Sequence, residues 1–319
     1  MHKIVVLDGH TLNPGDLSWK ELESMGEVRI YDRTEAGDII ARIKDADIVL
    51  TNKTPLTGDT LKACPAIKYI GCQSTGYNVV DIKAANALGI VVTNIPSYGT
   101  EAVAQFTMAL LLEVVSKVGM HAEAVKQGQW SASPDFCFWN GPLMELNGKT
   151  MGIIGFGAIG RSVAKKAEAF GMEVLACRRT PDKFPESEHC HWASLEEIYQ
   201  RADVISLHCP LNEETEGMIH KGTIDRMKDG VILLNTGRGP LINETDLRDA
   251  LNSGKVAGAG VDVASTEPIR PDNPLLQAKN IWITPHIAWA PLETRQRLMD
   301  IMNENIRAFL GGAPINEVH

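Results

Sequence analysis

The sequence predicts an α/β protein made of two doubly wound domains, each with a parallel β-sheet covered by helices on both faces. Two sets of short apolar segments carry this prediction, because the segments of each set alternate with helix-like stretches. Uninterrupted Val, Ile and Leu in these segments indicate strands that are buried on both faces. A length of 319 residues also exceeds what one ordinary core holds, which favours two domains.

The predicted strands fall into two groups, one before and one after the apolar segment at residues 101–115. The first group covers residues 4–7, 28–31, 48–51, 69–71 and 90–93, and the second covers residues 151–154, 174–177, 204–207, 231–235, 258–263 and 281–284. Within each group the strands are separated by helix-like segments, which is the arrangement that parallel strands require.

The boundaries of the two domains follow from two helices. A strongly apolar segment at residues 101–115 predicts the helix that joins the domains, with Thr100 as its N-cap. The last helix has apolar residues three and four apart, and because chain ends usually lie close together, we expect it to return to the first domain. Residues 1–98 and 290–319 are thus expected to form a discontinuous, flavodoxin-like domain, and residues 99–289 the other domain.

The composition excludes several classes of function. The formal net charge is -9, and lysine and arginine are dispersed along the chain, so a nucleic-acid partner is not expected. No segment approaches the roughly 20 apolar residues of a membrane-spanning helix, and no secretory signal is recognisable. The six cysteines have irregular spacing without a C-x-x-C motif, which is typical of free thiols in a reducing compartment. We therefore expect a soluble, cytoplasmic protein without a membrane partner.

The motif G-F-G-A-I-G follows a predicted strand directly and opens a predicted helix. In this context Gly155 allows a tight turn, Gly157 lets the backbone approach a pyrophosphate, and Gly160 permits close packing of the helix on the strand. The backbone N–H groups of Ala158 and Ile159, at the positive end of the helix, would bind phosphate oxygens. The second domain is therefore predicted to be a Rossmann domain that binds a dinucleotide.

The next predicted strand ends in two arginines. An acidic residue normally occupies this place and binds the ribose hydroxyls of NAD(H), whereas Arg178 and Arg179 stand here. A guanidinium binds a 2'-phosphate through charge-assisted hydrogen bonds, and a carboxylate would repel it. The pair therefore favours NADP(H). NAD(H) stays possible as the cofactor if both arginines are only solvated residues of a surface turn.

Three polar residues, Arg238, Glu267 and His286, each follow a predicted strand of the second domain. Ligands of open α/β sheets bind beyond the carboxyl ends of the strands, so these side chains can converge there. The permanently charged fork of Arg238 suits a carboxylate and can polarise a neighbouring carbonyl. His286 can exchange a proton near neutral pH, and Glu267 would orient its ring and favour its charged form. The set matches the reduction of a small 2-keto acid, or the reverse reaction.

The segment H-C-H-W at residues 189–192 contains two histidines that could bind a metal. It lies in a polar stretch without a second pair of ligands, so a solvated loop is the favoured interpretation. Hydride transfer to a 2-keto acid needs no metal, and none is predicted.

These motifs resemble those of the D-2-hydroxyacid dehydrogenase family over nearly the whole chain. The resemblance includes G-F-G-A-I-G, H-C-P-L-N-E-E-T (residues 208–215), N-T-G-R-G-P-L-I-N-E (residues 235–244), G-V-D-V and T-P-H-I-A-W. Weaker signals at residues 7–19, 51–56 and 133–139 resemble the glycerate dehydrogenase or hydroxypyruvate reductase group of that family. The resemblance implies an oxidoreductase that moves a hydride between a nicotinamide dinucleotide and a small 2-keto or 2-hydroxy acid. Hydroxypyruvate and D-glycerate are the expected pair, with glyoxylate as a further substrate.

The resemblance also implies roles for individual residues. Arg238, Glu267 and His286 are implied to be catalytic, with His286 as the proton donor during reduction, and Arg238 and His286 are also expected to contact substrate and dinucleotide. Further contacts to the dinucleotide are implied for Thr107, Cys209, Pro210, Thr215, Thr236, Gly237 and Asp262, and contacts to the substrate are expected for Lys53, Thr75 and Gly76. A homodimer is the expected assembly.

Two alternatives keep the fold and change the function. The first is a dehydrogenase of the same family for phosphoglycerate, formate or a phosphonate, and phosphoglycerate would require cationic groups beyond Lys53. The second is a dinucleotide sensor, similar to the transcriptional corepressors that resemble this family. A sensor would bind the dinucleotide tightly and turn over very slowly.

Overall fold

The computed structural model describes residues 1–179 and 187–319. The chain divides into two compact units, Met1–Gly99 with Ala290–His319, and Thr100–Trp289. Each unit contains one parallel sheet, so the predicted α/β class with two doubly wound sheets is confirmed. The units end within one residue of the boundaries that the sequence led us to expect.

The first unit contains a five-stranded parallel sheet in the order β2-β1-β3-β4-β5. This is the flavodoxin-like order, which reverses between β1 and β3. The strands are β1 (His2–Val6), β2 (Gly26–Ile30), β3 (Ile48–Thr51), β4 (Tyr69–Cys72) and β5 (Val91–Thr93). The helices are α1 (Lys20–Glu23), α2 (Ile39–Ile43), α3 (Gly58–Ala63), α4 (Ile82–Ala87) and the C-terminal α11 (Leu292–Leu310).

Helix α11 packs in the first unit through an apolar face and one buried arginine. Leu298 and Met302 of this helix are buried. The guanidinium of Arg295, also buried, donates to both carboxylate oxygens of Asp16 at 2.8 and 2.7 Å and to the carbonyl oxygen of Leu12 at 3.0 Å. The hydrogen bonds from Arg295 lower the pKa of Asp16 below its ordinary value. These contacts make the C-terminal segment part of the first unit.

The second unit contains a seven-stranded parallel sheet in the order β12-β11-β10-β9-β6-β7-β8. The order reverses between β6 and β9, as it does in Rossmann domains. The strands are β6 (Thr150–Ile154), β7 (Glu173–Cys177), β8 (Cys190–Trp192), β9 (Val204–Leu207), β10 (Val231–Asn235), β11 (Val256–Val261) and β12 (Ile281–Ile283). The helices are α5 (Thr100–Ser116), α6 (Val118–Lys126), α7 (Ala158–Ala169), α8 (Leu195–Arg201), α9 (Lys221–Ile224) and α10 (Glu244–Ser253).

Helix α5 is buried along much of its length, as its apolar composition predicts. Met108, Leu111 and Val115 belong to one apolar cluster with residues of β6, β7 and β10. Thr100 is the first residue of this helix and not its N-cap as predicted, because the helical conformation begins one residue earlier. Among the described residues, no single helix is long and apolar enough to cross a membrane. Helices α5 and α6 pass that criterion only as a pair, and they are bent by 57° at the break between them.

The segment at residues 189–192 is not the solvated loop that the sequence indicated. Cys190–Trp192 forms the edge strand β8, which pairs in parallel with β7. The outer edge of β7 offers backbone donors and acceptors to any segment that reaches it, and residue types alone do not reveal this. Cys190 is buried, whereas His191 and Trp192 are exposed.

Candidate active site

Most residues expected to form the site lie at one edge of the second sheet, beyond the carboxyl ends of its strands. The glycine-rich turn follows β6, Arg178 follows β7 and Cys209 follows β9, while Arg238, Glu267 and His286 come after β10, β11 and β12. The sheet order reverses between β6 and β9, and a reversal of this kind opens the crevice in which ligands of this fold class bind.

The three glycines of the turn differ in what surrounds them and therefore in their structural role. Gly155 has a φ of +99°, and a β-carbon there would lie 2.4 Å from the backbone nitrogen of Cys209. A β-carbon on Gly160 would lie 2.2 Å from the carbonyl oxygen of Gly155. On Gly157, a β-carbon would meet no atom of the described residues within 4 Å. The first and third glycines therefore fix the turn, and the second leaves open space in front of it.

Helix α7 begins directly after Gly157 and has no side-chain cap. The N–H of Arg161 donates to the carbonyl oxygen of Gly157 at 3.0 Å, which closes the first turn of the helix. The N–H groups of Ala158 and Ile159 precede this bond and lie at the positive end of the helix dipole, next to the open space at Gly157. This arrangement fits the pyrophosphate of a dinucleotide.

Thr107 of α5 and Thr236, which follows β10, contact each other through their hydroxyl oxygens at 2.9 Å. Thr107 is fully buried, and its hydroxyl donates to the carbonyl oxygen of Val103 at 2.8 Å. Since a hydroxyl has a single hydrogen, Thr236 is the donor in the contact between the two threonines. Thr107 therefore orients Thr236 at the edge of the sheet.

Arg178 and Arg179 stand at the end of β7, where Arg178 is half-buried and Arg179 is exposed. Strand β7 pairs with β6, the strand that leads into the glycine-rich turn. In Rossmann domains the residue at the end of this neighbouring strand contacts the ribose of the dinucleotide. Residues 180–186, which come next, lie outside the described part of the chain.

The loop after β9 is fixed by its own side chains. The hydroxyl of Thr215 donates to the carbonyl oxygen of Pro210 at 2.7 Å and accepts from the N–H of Asn212 at 2.9 Å. The thiol of Cys209 contacts the sulfur of Met218 at 3.7 Å, and burial raises the pKa of this thiol to about 11. Thr215 and Cys209 were expected near the dinucleotide, and in the structure their polar groups have partners within the loop and its surroundings.

His208 lies between this loop and the glycine-rich turn, and it was not among the residues expected to form the site. Its N–H donates to the carbonyl oxygen of Ile154 at 2.7 Å, and its Nε2 lies 2.8 Å from the hydroxyl of Ser206. Burial lowers the pKa of His208 to about 4. The ring is therefore neutral at neutral pH and adds no charge beside the turn.

The centre of the site is the pair formed by His286 and Glu267. Nδ1 of His286 lies 2.7 Å from Oε2 of Glu267, and the other carboxylate oxygen accepts the N–H of Ala264 at 3.3 Å. The side chains of His286 and Glu267 remain 29% and 33% exposed, so a ligand can reach them. A carboxylate only accepts hydrogen bonds, so Nδ1 carries the hydrogen in this pair and Nε2 is left for a substrate.

A buried carboxylate holds the loop that carries His286. Asp262 is 1% exposed, and its Oδ1 accepts from the hydroxyl of Thr284 at 2.6 Å and from the N–H of Ile287 at 2.9 Å. Its Oδ2 accepts from the N–H of Ala288 at 2.8 Å. These bonds flank His286, whose φ of +55° lies in the left-handed region that most side chains avoid. Asp262 was expected to line the dinucleotide, and its carboxylate faces the histidine loop.

Asn235 holds the turn that carries Arg238 in a similar way. Its side-chain amide donates to the carbonyl oxygen of Arg238 at 2.9 Å and accepts from the N–H of Gly237 at 3.0 Å. Its backbone carbonyl accepts from the N–H of Asp262 at 2.9 Å. The guanidinium of Arg238 is exposed and donates to the carbonyl oxygen of Gly237 at 2.8 Å. Asn235 thus connects the turn of Arg238 to the carboxylate that holds the histidine loop.

In the first unit, the residues expected to contact the substrate follow the adjacent strands β3 and β4. The carboxylate of Asp8 accepts the N–H groups of Asn52, Lys53 and Thr54 at 2.8, 2.6 and 2.8 Å. Asp8 therefore fixes the turn after β3, from which the side chain of Lys53 extends into solvent.

The turn after β4 is held through its hydroxyl and carbonyl groups. The hydroxyl of Thr75 donates to the carbonyl oxygen of Ile95 at 2.8 Å, and its own carbonyl accepts from the side chain of Asn94 at 2.7 Å. The hydroxyl of Ser74 donates to the carbonyl oxygen of Gly76 at 2.6 Å. Within the described residues, the N–H groups of Thr75 and Gly76 have no acceptor, so both can donate to a ligand.

No group of three His, Cys, Asp or Glu side chains in the described ranges could hold a metal ion. The two histidines of the H-x-H segment have separate partners. His189 pairs with Glu173 at 2.9 Å, and Nε2 of His191 lies 3.2 Å from the carbonyl oxygen of Glu188.

Comparison with known proteins gives one consistent family. A family model described as the D-isomer specific 2-hydroxyacid dehydrogenase, NAD binding domain, matches residues 108–288. The chain is 57% identical over 320 residues to the hydroxypyruvate reductase of Blautia hydrogenotrophica, with 99% of each chain covered. It is 40% identical to the glycerate dehydrogenase of Methylorubrum extorquens, over 99% of this chain and 98% of the other.

A solved structure extends the likeness to the fold. It is the NADPH-dependent glyoxylate/hydroxypyruvate reductase of Sinorhizobium meliloti in complex with NADP and malonate, with a TM-score of 0.84 and 29% identity over 99% of this chain and 96% of that one. The family resemblance that the motifs indicated is therefore confirmed. The chain belongs to the D-isomer specific 2-hydroxyacid dehydrogenase family and is an oxidoreductase with an NAD-binding domain that acts on small 2-hydroxy or 2-keto acids.

Proposed function

We propose that this enzyme interconverts hydroxypyruvate and D-glycerate, with glyoxylate as a further substrate and NADP(H) as its preferred dinucleotide. The observation that carries the proposal is the pair of His286 and Glu267 at the same sheet edge as Arg238 and the glycine-rich turn. The relatives described above support the choice of substrate, since their names are hydroxypyruvate reductase, glycerate dehydrogenase and glyoxylate/hydroxypyruvate reductase.

The dinucleotide binds, in this proposal, along the carboxyl edge of the second sheet, and when bound it supplies or accepts the hydride. The residues around it are Thr107, Gly155, Gly157, Ala158, Ile159, Gly160, Arg178, Arg179, Cys209, Pro210, Thr215, Thr236, Gly237, Arg238, Asp262 and His286. Ala158 and Ile159 offer N–H groups to the pyrophosphate. Thr107 and Asp262 act by fixing the residues that surround them, because their own polar groups already have partners.

The protein groups act on the carboxylate and the carbonyl of the substrate. Arg238 binds the carboxylate with its guanidinium and polarises the adjacent carbonyl. During reduction, Nε2 of His286 donates a proton to the carbonyl oxygen, and during oxidation it accepts that proton from the hydroxyl group. Glu267 keeps the hydrogen on Nδ1 and stabilises the imidazolium that forms when the histidine is protonated.

Residues of the first unit are also proposed to contact the substrate. The N–H groups of Thr75 and Gly76 are suited to a carboxylate because both lack an acceptor within the described chain. Lys53 adds a positive charge on the neighbouring turn, which Asp8 holds in place.

The preference for NADP(H) rests on Arg178 and Arg179, since a guanidinium suits a 2'-phosphate and no carboxylate occupies either position.

The expected homodimer is supported by large apolar side chains that are exposed in the segment after α6, namely Trp130, Phe136, Trp139 and Leu143. A cytoplasmic location is supported by the six cysteines, none of which forms a disulfide, as is typical of a reducing compartment.

The proposed reaction predicts fast oxidation of NADPH by hydroxypyruvate. Initial rates are measured with hydroxypyruvate and glyoxylate, each with NADPH and with NADH. We expect the highest kcat/KM for hydroxypyruvate with NADPH and a lower value for glyoxylate. Tight binding of NADPH without turnover of either acid would contradict the proposal and favour a dinucleotide sensor.

Replacement of the proposed proton donor should lower the rate of the chemical step without weakening the binding of NADPH. We expect His286→Asn to lower kcat by about 10²- to 10⁴-fold, the usual contribution of a general acid. Asparagine is chosen because it tolerates the left-handed conformation of this position, so the loop is kept. Binding of NADPH, followed by fluorescence, should remain close to that of the wild type. The control is His191→Asn on the exposed edge strand, and an equal kcat in both variants would contradict the assignment.

The proposed cofactor preference predicts a switch on charge reversal at Arg178. We expect Arg178→Asp to lower kcat/KM for NADPH by about 10- to 100-fold, the range for loss of a hydrogen bond to a charged group, and to leave or raise the value for NADH. Arg201→Asp, an exposed arginine at the end of α8, is the matched control. An unchanged ratio of the two kcat/KM values in Arg178→Asp would refute this role.

A further inference from the structure

A lysine at the junction of α5 and α6 is buried in an unusual conformation. Lys117 is 8% exposed and has a φ of +52°, in the left-handed region. It precedes the first residue of α6, and its side chain makes no capping bond to that helix. The backbone of this junction is fixed instead by Glu113, whose carboxylate accepts the N–H of Gly119 at 3.1 Å.

The ammonium group of Lys117 has no partner in the described part of the chain. No carboxylate there lies within 4.0 Å of its Nζ, and none of the hydrogen bonds of the structure involves this atom. The backbone makes room for it at Gly141, where a β-carbon would lie 2.9 Å from Nζ. Although Lys117 as a whole is buried, its ammonium group still reaches solvent. An anion that replaces this solvent would accept a charge-assisted hydrogen bond from the ammonium.

The ammonium borders a pocket of about 320 Å³ that lies wholly within the second unit. Lys117 and Gly141 line it together with Trp282, the second residue of β12. Trp282 is half-buried, and its indole N–H has no acceptor within residues 1–179 and 187–319. Lysine and tryptophan side chains only donate hydrogen bonds. Asn140 and Asn280 also line the pocket, and their amide groups both donate and accept. The two groups that can only donate, the ammonium and the indole N–H, therefore favour a ligand that accepts.

The remaining wall of the pocket is partly apolar and is held by a histidine. Met120, Pro142 and Ile281 contribute apolar groups. The ring of His121 contacts both Lys117 and Asn140. Its Nδ1 lies 2.8 Å from the carbonyl oxygen of Lys117, and its Nε2 accepts the N–H of Asn140 at 2.9 Å. The pocket wall at residues 140–142 is thereby tied to Lys117.

We propose that this pocket binds a small organic carboxylate, with its charged end at Lys117 and Trp282 and its apolar end against Met120, Pro142 and Ile281. The pocket lies at the start of β12, whereas His286 follows the end of the same strand. The two ends of a strand lie at opposite edges of a sheet, so this site is separate from the candidate active site. It is independent of which 2-keto acid the enzyme reduces.

The test is a titration with butyrate, followed by the midpoint of thermal unfolding, with neutral butyramide in a parallel series. It uses Arg238→Gln protein, in which binding of a carboxylate to the candidate active site is weakened. A ligand that binds only the folded state raises the midpoint as the site fills. We expect a rise that saturates with butyrate and is absent with butyramide.

Two variants in the same background decide whether Lys117 is responsible. Lys117→Met should weaken the response to butyrate by at least about tenfold, because it removes the charged donor. The matched control is Lys126→Met, an exposed lysine at the end of α6, which should respond as the parent does. Equal responses of the two variants would overturn the proposal.

Two further measurements test the geometry of the site and the identity of its ligand. Trp282→Phe retains an aromatic ring and removes the N–H, so we expect weaker binding of butyrate in folded protein, even if Lys117→Met does not fold. Unchanged affinity in Trp282→Phe would contradict the proposed geometry. Sedimentation of the parent and Lys117→Met proteins tests the other source of a carboxylate, a side chain of a second copy. A shift of the oligomeric state in Lys117→Met, without a response of the parent to butyrate, would overturn the small-molecule assignment.

Discussion

The hydrogen bonds accepted by the carboxylate of Asp262 are the interactions on which the candidate active site depends most. This carboxylate is buried and accepts two backbone N–H groups and one hydroxyl of the segment that carries His286. Each hydrogen bond to a charged group contributes roughly 1.5–3 kcal/mol, whereas a left-handed residue costs roughly 1–2 kcal/mol. The three bonds therefore outweigh the strain at His286, and the imidazole is held where Glu267 can meet its Nδ1.

The same arrangement recurs at other strand ends of the molecule. Asn235 binds the turn of Arg238 and, through its backbone carbonyl, the N–H of Asp262. In the first unit, Asp8 accepts three N–H groups of the turn that carries Lys53. In each case a polar side chain at or just after one strand fixes a turn beyond a strand end. The chemistry is thereby carried by loops, while its geometry is set by the sheets.

The sequence predicted the glycine-rich turn well because its geometry is local. Gly155, Gly157 and Gly160 lie within six residues, and the strand and helix that flank them have clear patterns. The residues Arg238, Glu267 and His286 could be nominated for a different reason, since strand ends of a parallel sheet share one edge.

Other features depend on contacts between residues that are distant in the sequence. The bonds of Asp262 to residues 284–288 and of Asp8 to residues 52–54 span 22 to 46 positions, and no local pattern encodes them. Strand β8 was missed because its pairing depends on the edge of β7. The isolation of the Lys117 ammonium could not be foreseen either, since an isolated lysine in a sequence is usually exposed.

The most direct test of this account is the kinetic behaviour of Asp262→Asn, compared with Asp203→Asn. Asp203 also binds a backbone N–H, that of Thr150, but at the opposite edge of the second sheet, so it controls for the loss of a structural carboxylate. The account predicts that Asp262→Asn lowers kcat by about a hundredfold, as displacement of a catalytic group does, while the Kd for NADPH changes little and Asp203→Asn retains kcat. An unchanged kcat in Asp262→Asn, or a loss of NADPH affinity as large as the loss of kcat, would contradict the role of Asp262 in holding His286.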